Sequence, residues 1–217
     1  MNNKQIAIDG PAGSGKSTVA KLVAKHLNFD YLSTGKMFRA FYYLINKNSW
    51  NNDDLIKNYH QFNFVFNGDQ VFLNDENISD LLENPQVSMG ASLIAQDQKI
   101  RDLALRLQQD YAAKNPVVMD GRDIGSIVLK NAILKIYLTA SAKERAIRRI
   151  KQLDLELSDQ NIDKFSKDIQ QRDDNDANRE LAPLVIVDDA FVINSDNLTI
   201  DQVVDQIVKL YHQKVGN

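Results

Sequence analysis

The sequence predicts an α/β fold in which helices cover both faces of a parallel β-sheet. Short apolar runs, which are typical of buried strands, occur at residues 6–9, 29–32, 117–119, 133–138 and 191–193. Segments with helical periodicity separate these runs. Strands that alternate with helices form parallel sheets, because each crossover returns the chain in the same direction. We therefore expect a three-layer fold with five parallel strands.

Two helix starts carry local signals of their own. Ser141 with Glu144, and Thr199 with Gln202, have the spacing of a capping box. In that motif the two side chains satisfy backbone N–H groups that the first helical turn leaves free. These pairs predict that helices begin directly after Ser141 and Thr199.

Two stretches interrupt the alternation of strands and helices. Residues 62–66 and 71–73 are strand-like and flank an Asn-Gly turn at residues 67–70, which predicts a β-hairpin. We assign this hairpin to an inserted region, residues 41–87. A second stretch, residues 152–182, is polar and dense in charge, and we expect it to be a mobile excursion rather than part of the core. The core of the fold would then comprise residues 1–40, 88–151 and 183–217.

The composition is that of an ordinary globular protein. The chain has 217 residues, of which 43% are hydrophobic and 25% charged, and its net charge is −3. No apolar run approaches the roughly 20 residues that span a bilayer, and no basic field would recruit long nucleic acid. Cysteine is absent, which excludes disulfides and thiolate metal sites. We expect a monomer in the cytoplasm, with small molecules as its partners.

A glycine-rich loop links the first strand to the first helix. The pattern Gly10-x-x-x-x-Gly15-Lys16-Ser17 follows a strand and opens a helix, the context that distinguishes a P-loop from a chance match. Glycines let backbone N–H groups turn toward phosphate oxygens, and the helix N-terminus adds partial positive charge. We expect Lys16 to reach the β- and γ-phosphates of ATP, and Ser17 to ligate Mg²⁺. The predicted donor-nucleotide ligands are Gly10, Pro11, Ala12, Gly13, Ser14, Gly15, Lys16, Ser17 and Thr18. A glycine-rich turn without a ligand is the alternative interpretation.

Four blocks of the sequence resemble bacterial cytidylate kinases. They are residues 10–18, 31–39, 119–125 and 172–179, in the order of that family and with compatible spacing. The G-R-D-I-G sequence that ends the third block and the R-D-x-x-D-x-x-R pattern of the fourth are more specific than the phosphate loop. The hairpin insertion matches the nucleotide-binding insert of that family, and residues 152–182 match its helical lid, so the resemblance extends over essentially the whole chain.

The resemblance implies a role for individual residues. Around the acceptor phosphate it places Thr34, Arg39, Arg122 and Arg179. On the cytosine edge it places Ser92, Arg101 and Asp123, and near the ribose Arg172 and Asp176. As catalytic residues it implies Lys16, Arg122, Arg172 and Arg179. Ser33 departs from the family pattern, which commonly has Asp there, so the resemblance supplies no carboxylate at this position.

The arginines support the same interpretation from their chemistry. Arginine is the minority cation, with nine residues among 26 Lys and Arg, and four of the nine lie in the matched blocks. Its planar guanidinium binds phosphate in a two-pronged fashion, and phosphoryl transfer depends on positive charge around the transferred group. A monophosphate acceptor has a second pKa near about 6 and therefore needs little or no general base at pH 7.

Each of these features has a structural alternative. Arg39 could extend from an amphipathic helix into solvent, and the segment 172–179 could be a solvated, salt-bridged helix face. Residues 121–123 could form an ordinary turn at a strand end. Arg145 and Arg149, one helical turn apart, could clamp ATP or lie on an exposed face. Asp120 could bind Mg²⁺ through water or cap a turn.

The phosphate loop and the resemblance together imply an enzyme that transfers the γ-phosphate of ATP, with Mg²⁺, to CMP or dCMP. A kinase that phosphorylates a hydroxyl, such as shikimate kinase, would require a well-placed Asp base. A nucleotide-dependent switch would be expected to carry partner-facing switch segments, and the guanine-reading N-K-x-D motif is absent from the sequence. The relative use of CMP, dCMP and UMP stays open.

Overall fold

A computed structural model of the protein describes residues 4–68 and 70–216. The strands are β1 (Gln5–Asp9), β2 (Asp30–Ser33), β3 (Phe64–Asn67), β4 (Gln70–Leu73), β5 (Glu76–Asn77), β6 (Val117–Gly121), β7 (Leu134–Thr139) and β8 (Phe191–Asn194). The α-helices are α1 (Lys16–Leu27), α2 (Thr34–Lys47), α3 (Asn52–Asn58), α4 (Pro85–Ile94), α5 (Gln98–Lys114), α6 (Ala142–Gln152), α7 (Asp159–Asn178) and α8 (Ile200–Val215). Asp69, which belongs to the predicted hairpin turn, lies outside the described residues.

The central sheet has five strands in the order β2-β6-β1-β7-β8, and every neighbouring pair is parallel. The predicted fold class is therefore confirmed, and no predicted strand end differs from the observed one by more than two residues. The register aligns Asp9 with Gly121 and Ser33 with Asp120. Because these residues end their strands, their side chains and the loops after them meet at one edge of the sheet.

Helices cover both faces of this sheet. On one face α1 and α8 bury Val23 and Ile207, and on the other α2 and α5 bury Phe41 and Leu103. The strands between them are apolar on both sides, as in β6, in which every residue is buried. Two hydrophobic layers thus hold the strand ends in place.

The capping signals are confirmed at both helix starts. At α8, Thr199 Oγ1 accepts the Gln202 N–H at 3.2 Å, and Gln202 Oε1 accepts the Thr199 N–H at 2.9 Å. At α6, Ser141 Oγ accepts the Glu144 N–H at 3.2 Å. The second hydrogen bond of the capping box is replaced at this helix. The Ser141 N–H donates to a carboxylate oxygen of Asp196 at 2.9 Å instead of to the Glu144 side chain.

The hairpin of the insertion is formed by β3 and β4, which pair in antiparallel register. A two-residue strand, β5, extends it and was not predicted. The hairpin shares a core with α2, since the rings of Phe64 and Phe41 meet edge to face at 5.8 Å. Helices α2 and α4 run without interruption through positions 41 and 87, where the sequence places the borders of the insertion. Those borders stay a prediction.

Most of the predicted lid is the helix α7, which packs beside α6. None of its residues is fully buried, but its apolar residues Ile162, Phe165 and Ile169 are half-buried on one face. Among the helices in the described part of the chain, none is both long and apolar enough to cross a membrane.

Candidate active site

The loop between β1 and α1 has the backbone of a phosphate cradle. Gly10, Gly13 and Gly15 have φ angles of 151°, 75° and 89°, which side-chain-bearing residues rarely adopt. At Gly10 a Cβ atom would lie 2.0 Å from the Leu138 carbonyl oxygen, so only glycine fits against β7. The loop ends where α1 begins, and the free N–H groups of its first turn face the same space.

Lys16 is buried at the start of α1. Its Nζ donates to the Pro11 carbonyl oxygen at 2.7 Å, which holds the ammonium group against the loop. Burial, together with the Arg122 charge, lowers the pKa of Lys16, whereas Asp120 and Asp9 act in the opposite direction. A cation that is largely removed from water, in a loop of backbone donors, is suited to an anion.

Asp120 ends β6 and connects three elements. Its carboxylate accepts the hydroxyl of Ser17 at 2.8 Å and that of Tyr31 at 2.8 Å, and its backbone carbonyl accepts the hydroxyl of Thr34 at 2.8 Å. Burial and the Asp120 charge raise the pKa of Tyr31, so its hydroxyl stays a donor. The sequence left Asp120 between a metal role and a capping role, and the structure places it directly against the P-loop serine.

The Ser17–Asp120 pair fits a magnesium ion by its chemistry. A hydroxyl and a carboxylate are the hard oxygen ligands that Mg²⁺ prefers, and this ion commonly takes one or two carboxylates together with substrate phosphates. Within residues 4–68 and 70–216, no group of three or more His, Cys, Asp or Glu side chains could hold a metal without such help. Ser33, where the resemblance would have a carboxylate, is buried at the N-terminus of α2.

A second group of charges lies beside the phosphate loop. Asp123 pairs with Arg101 through one carboxylate oxygen, and Arg179 Nη2 lies 3.6 Å from the other. Arg101 also stacks its guanidinium 5.9 Å from the centre of the Phe38 ring. Arg101 and Asp123 border a cavity of about 200 Å³, whose wall also includes Thr34 and Phe38. The cavity combines an aromatic surface with paired hydrogen-bonding groups.

Arg179 carries an unsatisfied donor in this group. Its Nε donates to the Ala182 carbonyl, but the buried Nη2 has no hydrogen-bond partner among the described residues. Burial lowers the pKa of Arg179, and the charge of Arg101 lowers it further. Because a buried guanidinium nitrogen without an acceptor is costly, the position is suited to an incoming anion.

Arg122 and Arg172 bring further positive charge to the same place. Arg122 Nε donates to Asp176 Oδ2 at 2.6 Å. Partial removal from water and the Arg122 charge lower the pKa of Arg172, and Arg39 acts in the same direction, although the residue as a whole is exposed. The predicted arginines are thus close enough to repel one another, which an anionic ligand would relieve.

Arg39 and Ser92, which the resemblance places at the acceptor nucleotide, contact other side chains and backbone groups in the structure. Arg39 Nη1 lies 3.2 Å from Glu83 Oε2 at the edge of the insertion, a carboxylate that the sequence did not single out. Ser92 lies on an exposed face of α4, where its hydroxyl donates to the Ser88 carbonyl at 3.1 Å, and it is not part of the cavity wall. Its contact with a cytosine base stays a prediction.

The sequence leaves open whether Arg145 and Arg149 of α6 clamp ATP, and the structure gives these two arginines different environments. Arg145 is buried, donates to the carbonyls of Ala140 at 2.9 Å and Ala12 at 3.0 Å, and lies 2.6 Å from Asp173 of α7. Arg149 is exposed. Arg145 therefore joins the phosphate loop to the helix α7.

Sequence reasoning missed three residues that shape this site. Asp9 ends β1 and accepts the N–H groups of Ile124 and Gly125, and Tyr31 orients Asp120. Arg148 donates to the Ser195 carbonyl at 3.0 Å, behind the phosphate loop. The one signal available was at Asp9, where a carboxylate ends a buried apolar strand directly before Gly10.

Comparisons with known proteins agree with this geometry. A sequence profile described as cytidylate kinase matches residues 6–213. The cytidylate kinase of Mycoplasmoides gallisepticum is 68% identical over 216 residues, which cover 100% of this chain and 96% of that one. The cytidylate kinase of Ureaplasma urealyticum is 45% identical over 97% of this chain and 96% of its own length.

A solved structure supports the fold independently. The crystal structure of an uncharacterised protein from Eubacterium ventriosum superposes with a TM-score of 0.52 at 14% sequence identity, over 95% of this chain and 97% of the other. Identity that low carries information on fold alone. The family rests instead on the sequence matches, which cover the phosphate loop, the end of β6 and the helix α7: this chain belongs to the cytidylate kinase family.

Proposed function

We propose that this protein transfers the γ-phosphate of ATP to CMP or dCMP. The observation that carries the proposal is the meeting of two different sites at one sheet edge. The phosphate loop lies at the end of β1, and the group formed by Arg101, Asp123 and Arg179 lies beside the end of β6. Such an arrangement suits two nucleotides that face each other through their phosphates.

The donor half would use the residues of the loop. The backbone N–H groups around Gly13 and Gly15 would hold the phosphates of ATP, and Lys16 would lie against the β- and γ-phosphates. Mg²⁺ would be held by Ser17 and Asp120, with Tyr31 orienting the carboxylate. When bound, the ion neutralises charge that develops on the phosphate oxygens.

The acceptor half would use the cavity. Asp123 and Arg101 offer a carboxylate and a guanidinium, which match the donor and acceptor edge of cytosine, and Phe38 offers an aromatic surface. Arg122, Arg172 and Arg179 would surround the transferred phosphoryl group. In-line positioning and electrostatic stabilisation supply the rate, and no general base is needed for an ionised phosphate.

The arginine pairing argues against a hydroxyl acceptor. Such an acceptor would require a free carboxylate as base. Asp123 and Asp176 are instead paired with Arg101 and Arg122 respectively. A carboxylate engaged by a guanidinium is not free to approach the hydroxyl of an acceptor.

A substrate panel tests the proposed function directly. ATP with Mg²⁺ would be combined with each common nucleoside monophosphate and with shikimate, and the formation of ADP followed. We expect CMP and dCMP to give the highest kcat/KM. Faster turnover of AMP, GMP or TMP would overturn the base assignment. Rapid ATP turnover without any monophosphate would favour a switch or motor instead.

Replacing Arg179 tests the predicted catalytic charge. Arg179→Ala should lower kcat with CMP by about 100- to 1,000-fold, because a preorganised donor to the transferred phosphoryl group is lost. The affinity for ATP, measured by calorimetry without CMP, should change by less than about threefold. Arg106→Ala, at an exposed arginine of α5, is the matched control. A kcat close to the wild-type value would remove Arg179 from the site.

We also propose that the enzyme acts as a monomer in the cytoplasm, as the sequence predicts. The absence of cysteine from all 217 residues suits a reducing compartment. Light scattering coupled to size-exclusion chromatography measures the oligomeric state, and a mass of twice 24.6 kDa would contradict the monomer.

A further inference from the structure

The carboxylate of Asp9 makes an unusual connection between distant segments. Its Oδ1 accepts the N–H of Ile124 at 2.9 Å, and its Oδ2 accepts the N–H of Gly125 at 2.7 Å. The side chain is buried, with 6% of the residue exposed. Two successive backbone donors on one buried carboxylate fix both the distance and the orientation of the segment that they belong to.

That segment carries the acceptor groups. Ile124 and Gly125 directly follow Arg122 and Asp123, so a shift of their backbone would move both side chains. The space behind the segment is filled as well, since a Cβ on Gly125 would lie 3.3 Å from Asp9 Oδ2 and 3.2 Å from Lys135 Cδ. The segment therefore rests on Asp9 with little freedom to settle elsewhere.

The other side of Asp9 is the phosphate loop. Asp9 directly precedes Gly10, whose position against Leu138 is fixed by the lack of a side chain. The Asp9 charge also acts on the buried Lys16. One carboxylate thus links the backbone of the donor loop to the backbone of the acceptor segment.

We propose that Asp9 is a positioning residue that sets the acceptor segment, residues 122–125, relative to the phosphate loop. The inference rests on the proposed function, because it names the acceptor half of that site. In-line transfer is sensitive to the separation of the two nucleotides, and a displacement of about 1 Å costs about 100-fold in rate. Asp9 acts through Arg122 and Asp123 rather than on substrate.

Asp9→Asn is the informative change. The amide keeps one acceptor oxygen but presents an NH₂ group to the second backbone N–H, so one hydrogen bond is lost and two donors face each other. We expect KM for CMP to rise by about tenfold and kcat to fall by about tenfold, in line with a shifted acceptor. The dissociation constant of ATP, measured by calorimetry without CMP, should stay within about threefold of the wild type.

A double-mutant cycle separates positioning from general structure. If Asp9 acts through Asp123, the Asp9→Asn change should have much less effect on KM for CMP in the Asp123→Asn background. Losses that multiply would contradict the proposal, as would an unchanged KM accompanied only by a lower Tm. Asp30→Asn, at an exposed aspartate that begins β2, is the matched control and should leave KM and kcat unchanged.

A second variant keeps the proposal testable if Asp9→Asn does not fold. Gly125→Ala pushes the same segment from behind, since its Cβ would approach Asp9 Oδ2 at 3.3 Å. It should also raise KM for CMP while leaving the ATP affinity intact. Wild-type activity with CMP together with unchanged constants in both variants would overturn this inference alone, whereas a wild type inactive with CMP would overturn the proposed function.

Discussion

At the scale of single residues, carboxylates hold the arginines of the site in place. Asp176 holds Arg122, Asp123 holds Arg101, and Asp173 holds Arg145. A guanidinium near other guanidinium groups is costly without a counter-charge, and these carboxylates supply it. Arg179 is the exception in one respect, because its Nη2 has an ion contact but no hydrogen bond among the described residues.

Two glycines with positive φ allow a prediction on stability. Gly10→Ala would place a Cβ 2.0 Å from the backbone oxygen of Leu138. Backbone cannot give way as a side chain can, so we expect a loss of more than about 4 kcal/mol in the free energy of unfolding, or failure to fold. Urea denaturation monitored by circular dichroism measures it.

Gly68→Ala is the matched control for backbone conformation. Its φ is 60°, but apart from its chain neighbours no atom of the described residues lies within 4 Å of the added Cβ, so the strain of a left-handed residue is what remains. That strain costs about 1–2 kcal/mol. Equal losses in the Gly10 and Gly68 variants would show that the contact with Leu138 is unimportant.

At the scale of the element, ion pairs connect the helix α7 to the core. Its apolar residues are only half-buried, and among the described residues Arg145 and Asp173 pair at 2.6 Å, as do Arg122 and Asp176. Arg145 also donates to the phosphate loop at Ala12, so the same side chain contacts both loop and lid. We infer that the position of α7 depends on these ion pairs as well as on the packing of its half-buried apolar side chains.

Asp173→Asn tests that dependence. The variant removes the charge opposite a buried guanidinium, and a hydrogen bond to a charged group contributes about 1.5–3 kcal/mol. We expect amide hydrogen exchange within residues 159–178 to become at least about tenfold faster, while exchange in β1 and β6 stays unchanged. Mass spectrometry of peptides from each segment gives both rates.

An exposed ion pair on the same helix is the control for Asp173. Lys167 and Asp163 are 4.0 Å apart, and both side chains are 81% exposed. Because solvent screens such pairs, Asp163→Asn should not alter exchange measurably. Equal acceleration in both variants would mean that α7 responds to any loss of charge rather than to its contact with Arg145.

At the scale of the whole molecule, Asp9 links stability to pH. Burial raises the pKa of Asp9 from 3.8 to about 6; the Ile124 and Gly125 N–H groups oppose the shift, and the Asp123 charge adds to it. The folded protein therefore holds the Asp9 proton more tightly than the unfolded chain does. The resulting stability is fully present below pH 4 and is lost as the pH rises through about 6.

The free energy of unfolding should show this dependence. Over the full window the contribution of Asp9 is about 3 kcal/mol, and roughly half of it falls between pH 5 and 7.5. Urea denaturation of the wild type and of Asp9→Asn at both pH values isolates it, because other carboxylates cancel in the difference. Relative to the variant, the wild type should lose stability as the pH rises; parallel pH profiles would contradict this.

The phosphate loop could be predicted from the sequence because its parts are contiguous along the chain. The phosphate loop needs only a strand, a fixed spacing of glycines and a helix, and residues 10–18 contain all three. The five strands followed from apolar runs for the same reason, since burial on both faces leaves a continuous pattern. The resemblance to cytidylate kinases supplied the predicted acceptor residues, of which Thr34, Arg101 and Asp123 lie around one cavity.

The tertiary structure decides which residues that are far apart in the sequence come into contact. Asp9 with Gly125, Ser17 with Asp120, and Arg145 with Asp173 meet only because parallel strands bring their carboxyl ends to one edge and α6 places α7 above it. No spacing rule connects residues that a sheet register aligns. The sequence by itself determined the fold class, the family and the phosphate loop; the tertiary structure decided which carboxylate each cation faces, because pairing depends on distance in space and on burial.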